Sequence, residues 1–162
     1  MKRIGILSDT HAFLDERVFT YFKDCDEIWH AGDIGSLAVA DKLAAFKPLR
    51  AVVGNIDGAE LRRSFPLHNR FFCEQVAVLL THIGGYPGKY AKEISDELRS
   101  NPPMLFVAGH SHILRVQYDS SLNLLYVNPG AAGKYGFHQV STLIRLVIDG
   151  KQIKDLEVIE LS

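Results

Sequence analysis

Seven residues with metal-binding side chains are spread along this chain, each close to the point where a short apolar run gives way to a turn. They are Asp9, His11, Asp33, Asn55, His82, His110 and His112. Carboxylate, imidazole and amide groups without a thiolate suit hard to borderline divalent cations such as Mn, Fe, Co, Ni and Zn. A ligand set of this size favours two adjacent metal sites, which is an arrangement used for hydrolytic chemistry.

The elements that must position these residues begin with alternating strands and helices. We predict strands over residues 4–7, 27–30 and 50–53, and amphipathic helices over about 14–23 and 37–46. Ser36 is a suitable N-cap for the second helix, and Lys47-Pro48 ends it. This βαβαβ order predicts parallel strands joined by right-handed crossovers.

The rest of the chain predicts strands of mixed direction. We expect a hairpin of residues 70–73 and 76–80, a helix over 90–99, and strands over 104–108, 116–118, 124–127, 142–148 and 152–161. The last two strands meet at Asp149-Gly150, which is a strong hairpin signal. Together the elements predict an α/β fold, a two-sheet α-β-β-α sandwich of mixed parallel and antiparallel strands, as one domain over residues 1–162.

Composition excludes several classes of function. The 162 residues carry a net charge of −1, from 18 basic and 19 acidic residues, which argues against a nucleic-acid-binding surface. The apolar run at residues 4–7 is too short for a signal peptide, and no run is long enough to span a membrane. Cys25 and Cys73 form no C-x-x-C pair, so we expect reduced thiols and a cytoplasmic protein.

The candidate ligands gain weight from their shared position at strand ends. In open α/β sheets, binding sites form beyond the carboxyl ends of the strands, where all seven candidates fall. Each motif alone is weak, because Asp-x-His is also typical of a helix cap and Gly-Asp or Gly-Asn of an ordinary turn. His110 and His112 should point the same way if their segment is extended. Glycines at 32, 54 and 109 are expected to permit sharp turns beside the site.

In chain order, the motifs resemble the signature of the calcineurin-like binuclear metallophosphoesterases. They are Asp9-x-His11, Gly32-Asp33, Gly54-Asn55, His82 and Gly109-His110-x-His112. The short chain and Asn128-Pro129-Gly130 resemble the small prokaryotic phosphodiesterase branch of that family. The resemblance implies two divalent metal ions, with manganese expected ahead of Fe, Ni, Co and Zn.

The same resemblance implies a division of the ligands between two metals. Asp9, His11, Asp33 and His112 would hold the first metal, and Asp33, Asn55, His82 and His110 the second, so that Asp33 bridges them. A hydroxide shared by the two metals would attack the phosphorus of a small phosphate ester, with no covalent enzyme intermediate. The expected function is therefore a metal-dependent phosphoesterase that acts on diesters.

One position departs from the family pattern. Many members carry a histidine directly after the motif asparagine and use it to protonate the leaving group, but here Ile56 follows Asn55. We therefore expect good leaving groups, such as aryl or nucleoside-type esters, to be preferred over phosphoserine. Asn55, Lys134 and His138 are the candidate substrate contacts, with His138 a candidate proton donor, although a solvated loop explains Lys134 and His138 equally well.

Two other functions remain open at this stage. A retromer subunit of eukaryotes uses the same fold as a non-catalytic scaffold, so the fold alone does not establish catalysis. The complete ligand set argues against a pure scaffold, which has no need for so many costly buried polar groups. A metal-dependent hydrolase that cleaves another bond, such as an amide, is the second alternative. The late hairpin over residues 144–159 is a candidate for pairing with another copy of the chain.

Overall fold

Two five-stranded sheets form the centre of the fold in the computed structural model, which describes residues 1–161. The strands are β1 (Lys2–Leu7), β2 (Glu27–His30), β3 (Leu49–Ala51), β4 (His68–Cys73), β5 (Val76–Thr81), β6 (Gly85–Tyr86), β7 (Lys89–Tyr90), β8 (Leu105–Val107), β9 (Arg115–Asp119), β10 (Leu124–Asn128), β11 (Ser141–Asp149) and β12 (Gln152–Leu161). The helices are α1 (Arg17–Tyr21), α2 (Leu37–Phe46), α3 (Ala59–Ser64) and α4 (Lys92–Ser100). The strand order is β12-β11-β1-β2-β3 in the first sheet and β4-β5-β8-β10-β9 in the second.

Apolar side chains fill three layers, one between the sheets and one on each outer face. Alternation along β1 illustrates the division, since Ile6 lies in the cluster between the sheets and Leu7 lies on the outer face with Leu43 of α2. On the far side, Phe106 of β8 shares a cluster with Leu98 of α4. The predicted α-β-β-α sandwich is thus confirmed. Across the described residues, no helix has the length and apolar character needed to cross a membrane.

Strand direction brings the candidate residues to neighbouring sheet edges. β1, β2 and β3 run parallel, as the βαβαβ pattern predicted, and β8 runs parallel to both β5 and β10. The predicted hairpins are also confirmed, because β4 pairs antiparallel with β5 and β11 with β12. All seven candidate ligands follow the carboxyl ends of β1, β2, β3, β5 and β8.

Several element boundaries differ from the sequence prediction. β3 ends at Ala51 instead of residue 53, because the chain turns away and the Val53 N–H donates to the Pro66 carbonyl. α1 covers only Arg17–Tyr21 of the predicted 14–23. The short helix α3 was not predicted, because its one buried residue, Leu61, provides no apolar periodicity.

Candidate metal centre

The backbone at the candidate centre is unusual at five of the seven candidate ligands. Asp9, His11, Asp33, His110 and His112 have φ values of 54°, 45°, 54°, 73° and 62°. Residues other than glycine rarely occupy this left-handed region, and such conformations persist where the surroundings enforce them. The strain is concentrated at one place, which is a property of functional sites more than of ordinary turns.

The loops after β1 and β2 enforce this conformation on each other. The N–H of Asp9 donates to the Gly32 carbonyl at 2.9 Å, and the N–H of His11 donates to the Asp33 carbonyl at 3.0 Å. The next N–H, of Ala12, donates to the Ile34 carbonyl at 2.8 Å. The backbone groups of the two loops therefore hydrogen-bond to each other. The side chains of Asp9, His11 and Asp33 are left to face the cleft.

The first cluster of side chains comprises Asp9, His11 and His112, whose donor atoms lie within 4.8 Å of one another. His112 Nε2 is 3.2 Å from Asp9 Oδ1, and His11 Nε2 is 3.9 Å from the same oxygen. The other Asp9 oxygen accepts hydrogen bonds from the Ser8 hydroxyl at 2.7 Å and from the His110 N–H at 3.1 Å. Asp9 is thus held through Oδ2, while Oδ1 faces the histidines.

The second cluster comprises Asp33, His82 and His110, with Asn55 against it. His82 Nε2 lies 3.2 Å from Asp33 Oδ2 and 3.1 Å from Asn55 Oδ1, and His110 Nδ1 lies 3.1 Å from the same Asn55 oxygen. Asp33 Oδ2 also lies 3.4 Å from His11 Nε2 of the first cluster. The two clusters therefore adjoin at the Asp33 carboxylate.

His110 and His112 do not point the same way, which corrects the expectation for an extended segment. Both residues lie outside strands with left-handed backbone, so the alternation of side chains in a strand does not apply to them. His110 turns towards Asn55 and His82, while His112 turns towards Asp9. One residue of separation therefore places the two imidazoles in different clusters.

Unpaired buried atoms show that this donor set fits a cation. Asp9 Oδ1 and His11 Nε2 are buried and have no hydrogen-bond partner of acceptable geometry. His82 Nδ1 donates to the Ala31 carbonyl at 2.7 Å, so Nε2 of a neutral His82 presents a lone pair to the oxygens of Asp33 and Asn55. Lone pairs that face one another repel unless a proton or a metal ion lies between them.

The pKa values follow from the same crowding. Burial lowers the pKa of His82, but the nearby carboxylates of Asp33 and Asp9 outweigh burial and raise it above the usual value. Burial raises the pKa of Asp33, and His82 outweighs burial to leave it below the usual value. Asp9 raises the pKa of His112, whereas burial lowers that of His110. The carboxylates thus favour positive charge at the centre. Either protons or metal ions can supply this charge, and a bound metal ion displaces the protons.

Asp57 joins the loops that carry Asp33 and Asn55. Its side chain is 3% exposed, and Oδ2 accepts from the N–H of Ile34 at 3.1 Å and of Gly54 at 2.8 Å. Oδ1 accepts from the N–H of Gly35 at 2.9 Å. Asp57 does not cap α3, which begins at Ala59 after Gly58 and has no side-chain cap. Asp57 instead holds two loops in register.

Further buried polar groups fix the remaining loops. The Thr10 hydroxyl donates to the Ile34 carbonyl, so His30 Nε2 must donate to Thr10, and His30 Nδ1 accepts from the Gly32 N–H. Burial lowers the pKa of His30 to about 4, which keeps it in this neutral form. Asn128 Nδ2 donates to the Gly109 carbonyl and to the Ser111 hydroxyl, and so anchors the loop that carries His110 and His112.

The three glycines near the centre have two different roles. Gly32 has a φ of 98°, so it does permit a sharp turn. Gly54 and Gly109 have no such φ; a Cβ at Gly54 would overlap the Asp33 carboxylate, and one at Gly109 would overlap the Ser8 hydroxyl. At these two positions glycine is needed because a neighbouring side chain approaches the backbone closely, and not, as expected, to permit a sharp turn.

The loop over residues 133–140 lies beside the first cluster. The Tyr135 ring stacks on His11 with centroids 4.8 Å apart, and the His138 ring lies 5.4 Å from that of His112. His138 Nε2 donates to the Gly133 carbonyl at 2.7 Å, and its Nδ1 is buried without a hydrogen-bond partner. The Lys134 ammonium lies 4.3 Å from the centre of the Phe13 ring. His138 thus adjoins the centre, while Lys134 is held by an aromatic ring.

Sequence reasoning did not identify Ser8, Thr10 or Tyr135 as parts of the site. Ser8 and Thr10 flank Asp9 in the sequence, so their polarity directly after a buried strand was the signal available. Tyr135 lies in the loop that was singled out for Lys134 and His138, but nothing in the sequence distinguishes it from other exposed aromatic residues.

Comparison with known proteins gives a consistent result. Residues 1–151 match the calcineurin-like phosphoesterase superfamily domain. A probable metallophosphoesterase of Methanothermobacter thermautotrophicus is 31% identical over 167 residues, covering 96% of this chain and 91% of the relative. The structure of a novel archaeal phosphodiesterase has a TM-score of 0.78 at 22% identity, over 98% of this chain and 99% of the other. Wild-type Vps29 of Entamoeba histolytica, solved as a complex with Zn²⁺, has a TM-score of 0.71 at 15% identity, over 99% of both chains. The chain therefore belongs to the calcineurin-like phosphoesterase superfamily.

Proposed function

We propose that this protein is a metal-dependent phosphodiesterase that binds two divalent cations at the candidate centre. The observation that supports the proposal most directly is the position of Asp33 Oδ2. This oxygen lies 3.4 Å from a histidine nitrogen of the first cluster and 3.2 Å from one of the second. A single carboxylate between two cationic positions reduces the repulsion between the cations.

The seven candidates would be divided between the two cations as follows. Asp9, His11 and His112 would hold the first metal together with Asp33, and Asn55, His82 and His110 would hold the second, again with Asp33. When bound, such a pair of cations supplies a water-derived nucleophile near neutral pH and neutralises charge on the phosphate oxygens. Manganese is the first metal to test.

The chain's own groups would orient these ligands and the substrate. The Ala31 carbonyl holds His82 in the tautomer that leaves Nε2 free, and Ser8 with the His110 N–H holds Asp9. Asn55 and His138 would contact the phosphate group or the ester oxygens. Lys134 would do so only after leaving the face of the Phe13 ring.

The absence of an acid after Asn55 favours substrates with good leaving groups. The Ile56 side chain is exposed, and its N–H donates to Asp33 Oδ1 at 3.1 Å, so the backbone of Ile56 has a structural role. An aryl leaving group departs as a stabilised phenolate without full protonation, whereas a serine alkoxide does not. Aryl diesters should therefore be hydrolysed much faster than phosphoserine peptides.

The test is metal analysis combined with a panel of phosphate monoesters and diesters assayed with added Mn²⁺. We expect two metal ions per chain and hydrolysis of 4-nitrophenyl diesters. Asp33→Asn should lose both metals together, whereas His112→Ala should weaken mainly the first site and His110→Ala mainly the second. Two metals retained by Asp33→Asn would contradict the bridging role, and an inactive metal-loaded protein would contradict the phosphodiesterase proposal.

A non-catalytic scaffold is the alternative function. The likeness to Vps29 concerns the fold alone, and a fold does not by itself establish catalysis. The ester panel separates the two functions, because a scaffold with two bound metals would leave every substrate intact.

A further inference from the structure

Two cavities open beside the candidate metal centre, and one side-chain contact joins their walls. The smaller has a volume of about 230 Å³ and includes Asn55, Leu67, His82 and Ile83 in its wall. The larger has a volume of about 500 Å³ and is lined by residues 110–113 and 135–138. Candidate ligands thus form part of both walls.

The contact between Asn55 and His110 joins the two walls. Asn55 belongs to the smaller cavity and His110 to the larger, and their side chains approach to 3.1 Å. The His82 and His110 rings, again one from each cavity, lie 5.1 Å apart at an angle of 79°. A phosphate group over this contact would adjoin both cavities.

Both cavities carry apolar side chains that are exposed to solvent. Leu67 is 53% exposed and Ile83 38% exposed in the smaller cavity. In the larger cavity, Ile113 is 65% exposed, Tyr135 is 70% exposed and Phe137 is fully exposed. Several large apolar groups around one cleft favour an apolar or aromatic ligand group over a fully hydrated one.

The cavities offer little positive charge to an anionic substituent. Within the described residues 1–161, Arg62 is the one Lys or Arg in the walls of either cavity. Its Nε donates to the Asp57 carbonyl at 2.7 Å and its Nη2 to the Gly54 carbonyl at 3.0 Å, so this side chain braces the Asn55 loop. The cavities therefore favour uncharged substituents, and a diester has two organic groups to place.

We propose that the two cavities are the binding sites for the two ester substituents of a phosphodiester. The larger cavity would receive an aromatic substituent against Tyr135 and Phe137, and the smaller would receive the second substituent against Leu67 and Ile83. This inference rests on the proposed phosphodiesterase function and specifies its substrate as a diester with two sizeable apolar or aromatic groups.

The experiment compares two substrates that share a leaving group. Bis(4-nitrophenyl) phosphate fills both cavities, whereas methyl 4-nitrophenyl phosphate fills only one. Both are assayed on the Mn²⁺-loaded wild type and on Leu67→Ala and Phe137→Ala, which alter one exposed residue in each cavity. Phe72→Ala is the matched control, because Phe72 is 71% exposed on β4 and lines neither cavity.

The wild type should prefer the bis-aryl substrate in kcat/KM by about tenfold, because a second ring is removed from water. Leu67→Ala and Phe137→Ala should each lower kcat/KM for this substrate by about three- to tenfold. One of the two variants should also lower kcat/KM for the methyl ester, because one cavity takes the leaving group that both substrates share. The other variant should leave kcat/KM for the methyl ester unchanged. Phe72→Ala should match the wild type.

Equal kcat/KM for the two substrates in the wild type would overturn the two-cavity inference and leave the phosphodiesterase proposal intact. Wild-type activity in both cavity variants would overturn it as well, as would equal losses on both substrates in both variants. A metal-loaded wild type that hydrolyses neither diester would instead refute the proposed function, and the inference with it.

Discussion

Replacement of Asp57 by asparagine tests whether one buried carboxylate holds the centre together. The substitution keeps the shape of the side chain but leaves one acceptor oxygen where there were two. If the amide oxygen takes the position of Oδ2, the bonds from Ile34 and Gly54 remain, while the amide N–H₂ faces the Gly35 N–H. That change removes one part-buried, charge-assisted hydrogen bond and sets two N–H donors against each other.

The expected loss in free energy of unfolding is about 2–3 kcal/mol, the upper part of the range for a hydrogen bond to a charged group, because the new amide N–H₂ also faces the Gly35 N–H. For a chain of this size it corresponds to a decrease in Tm of about 4–12 °C. The assay is thermal unfolding of the metal-free protein, with Asp41→Asn as the matched control, because Asp41 is exposed on α2.

The metal affinity of Asp57→Asn provides a second measurement. Because the Asp33 and Asn55 loops would lose part of their common anchor, metal affinity at the second cluster should fall by about tenfold. A Tm for Asp57→Asn within about 1 °C of the Asp41→Asn value would refute the reasoning, since it would mean that the contact to Gly35 and the charge of the carboxylate contribute no net stability.

Two further predictions concern the whole protein. Chelation should abolish hydrolysis and lower Tm by about 8–16 °C, which is equivalent to about 4 kcal/mol of metal binding. Circular dichroism at 25 °C should still show a folded chain. Unfolding on chelation would mean that the metals are structural. Burial raises the pKa of both Cys25 and Cys73 to about 11 from an ordinary value of 9.0. At pH 8 these thiols should therefore react with a disulfide reagent about 100-fold more slowly in the native protein than in denaturant, since thiolate is the reacting form; equal rates would show that the thiols are accessible.

The sequence alone was sufficient for the elements that carry the candidate ligands and for the order of their motifs. β1 and β2 are short apolar runs that stop at polar residues, and the β11–β12 hairpin has an Asp149-Gly150 turn, so the signals are local. The alternation of strands and helices then fixes parallel pairing and brings strand ends to one edge. The helix α3 was not predicted, because it buries only Leu61 and so has a weak apolar pattern.

Only the tertiary structure decided how the ligands divide and what encloses them. The left-handed backbone of His11 and His110 is imposed by partners distant in sequence, namely the Asp33 carbonyl and the Asp9 carboxylate. Local preference would place these residues in extended or helical conformations, so no spacing rule could have sent His110 and His112 to different clusters. The same holds for the role of Asp57 and for the two cavities, which depend on loops that meet only after the sheets have formed. The geometry of these loops is set by backbone contacts between residues distant in sequence and not by neighbouring residues.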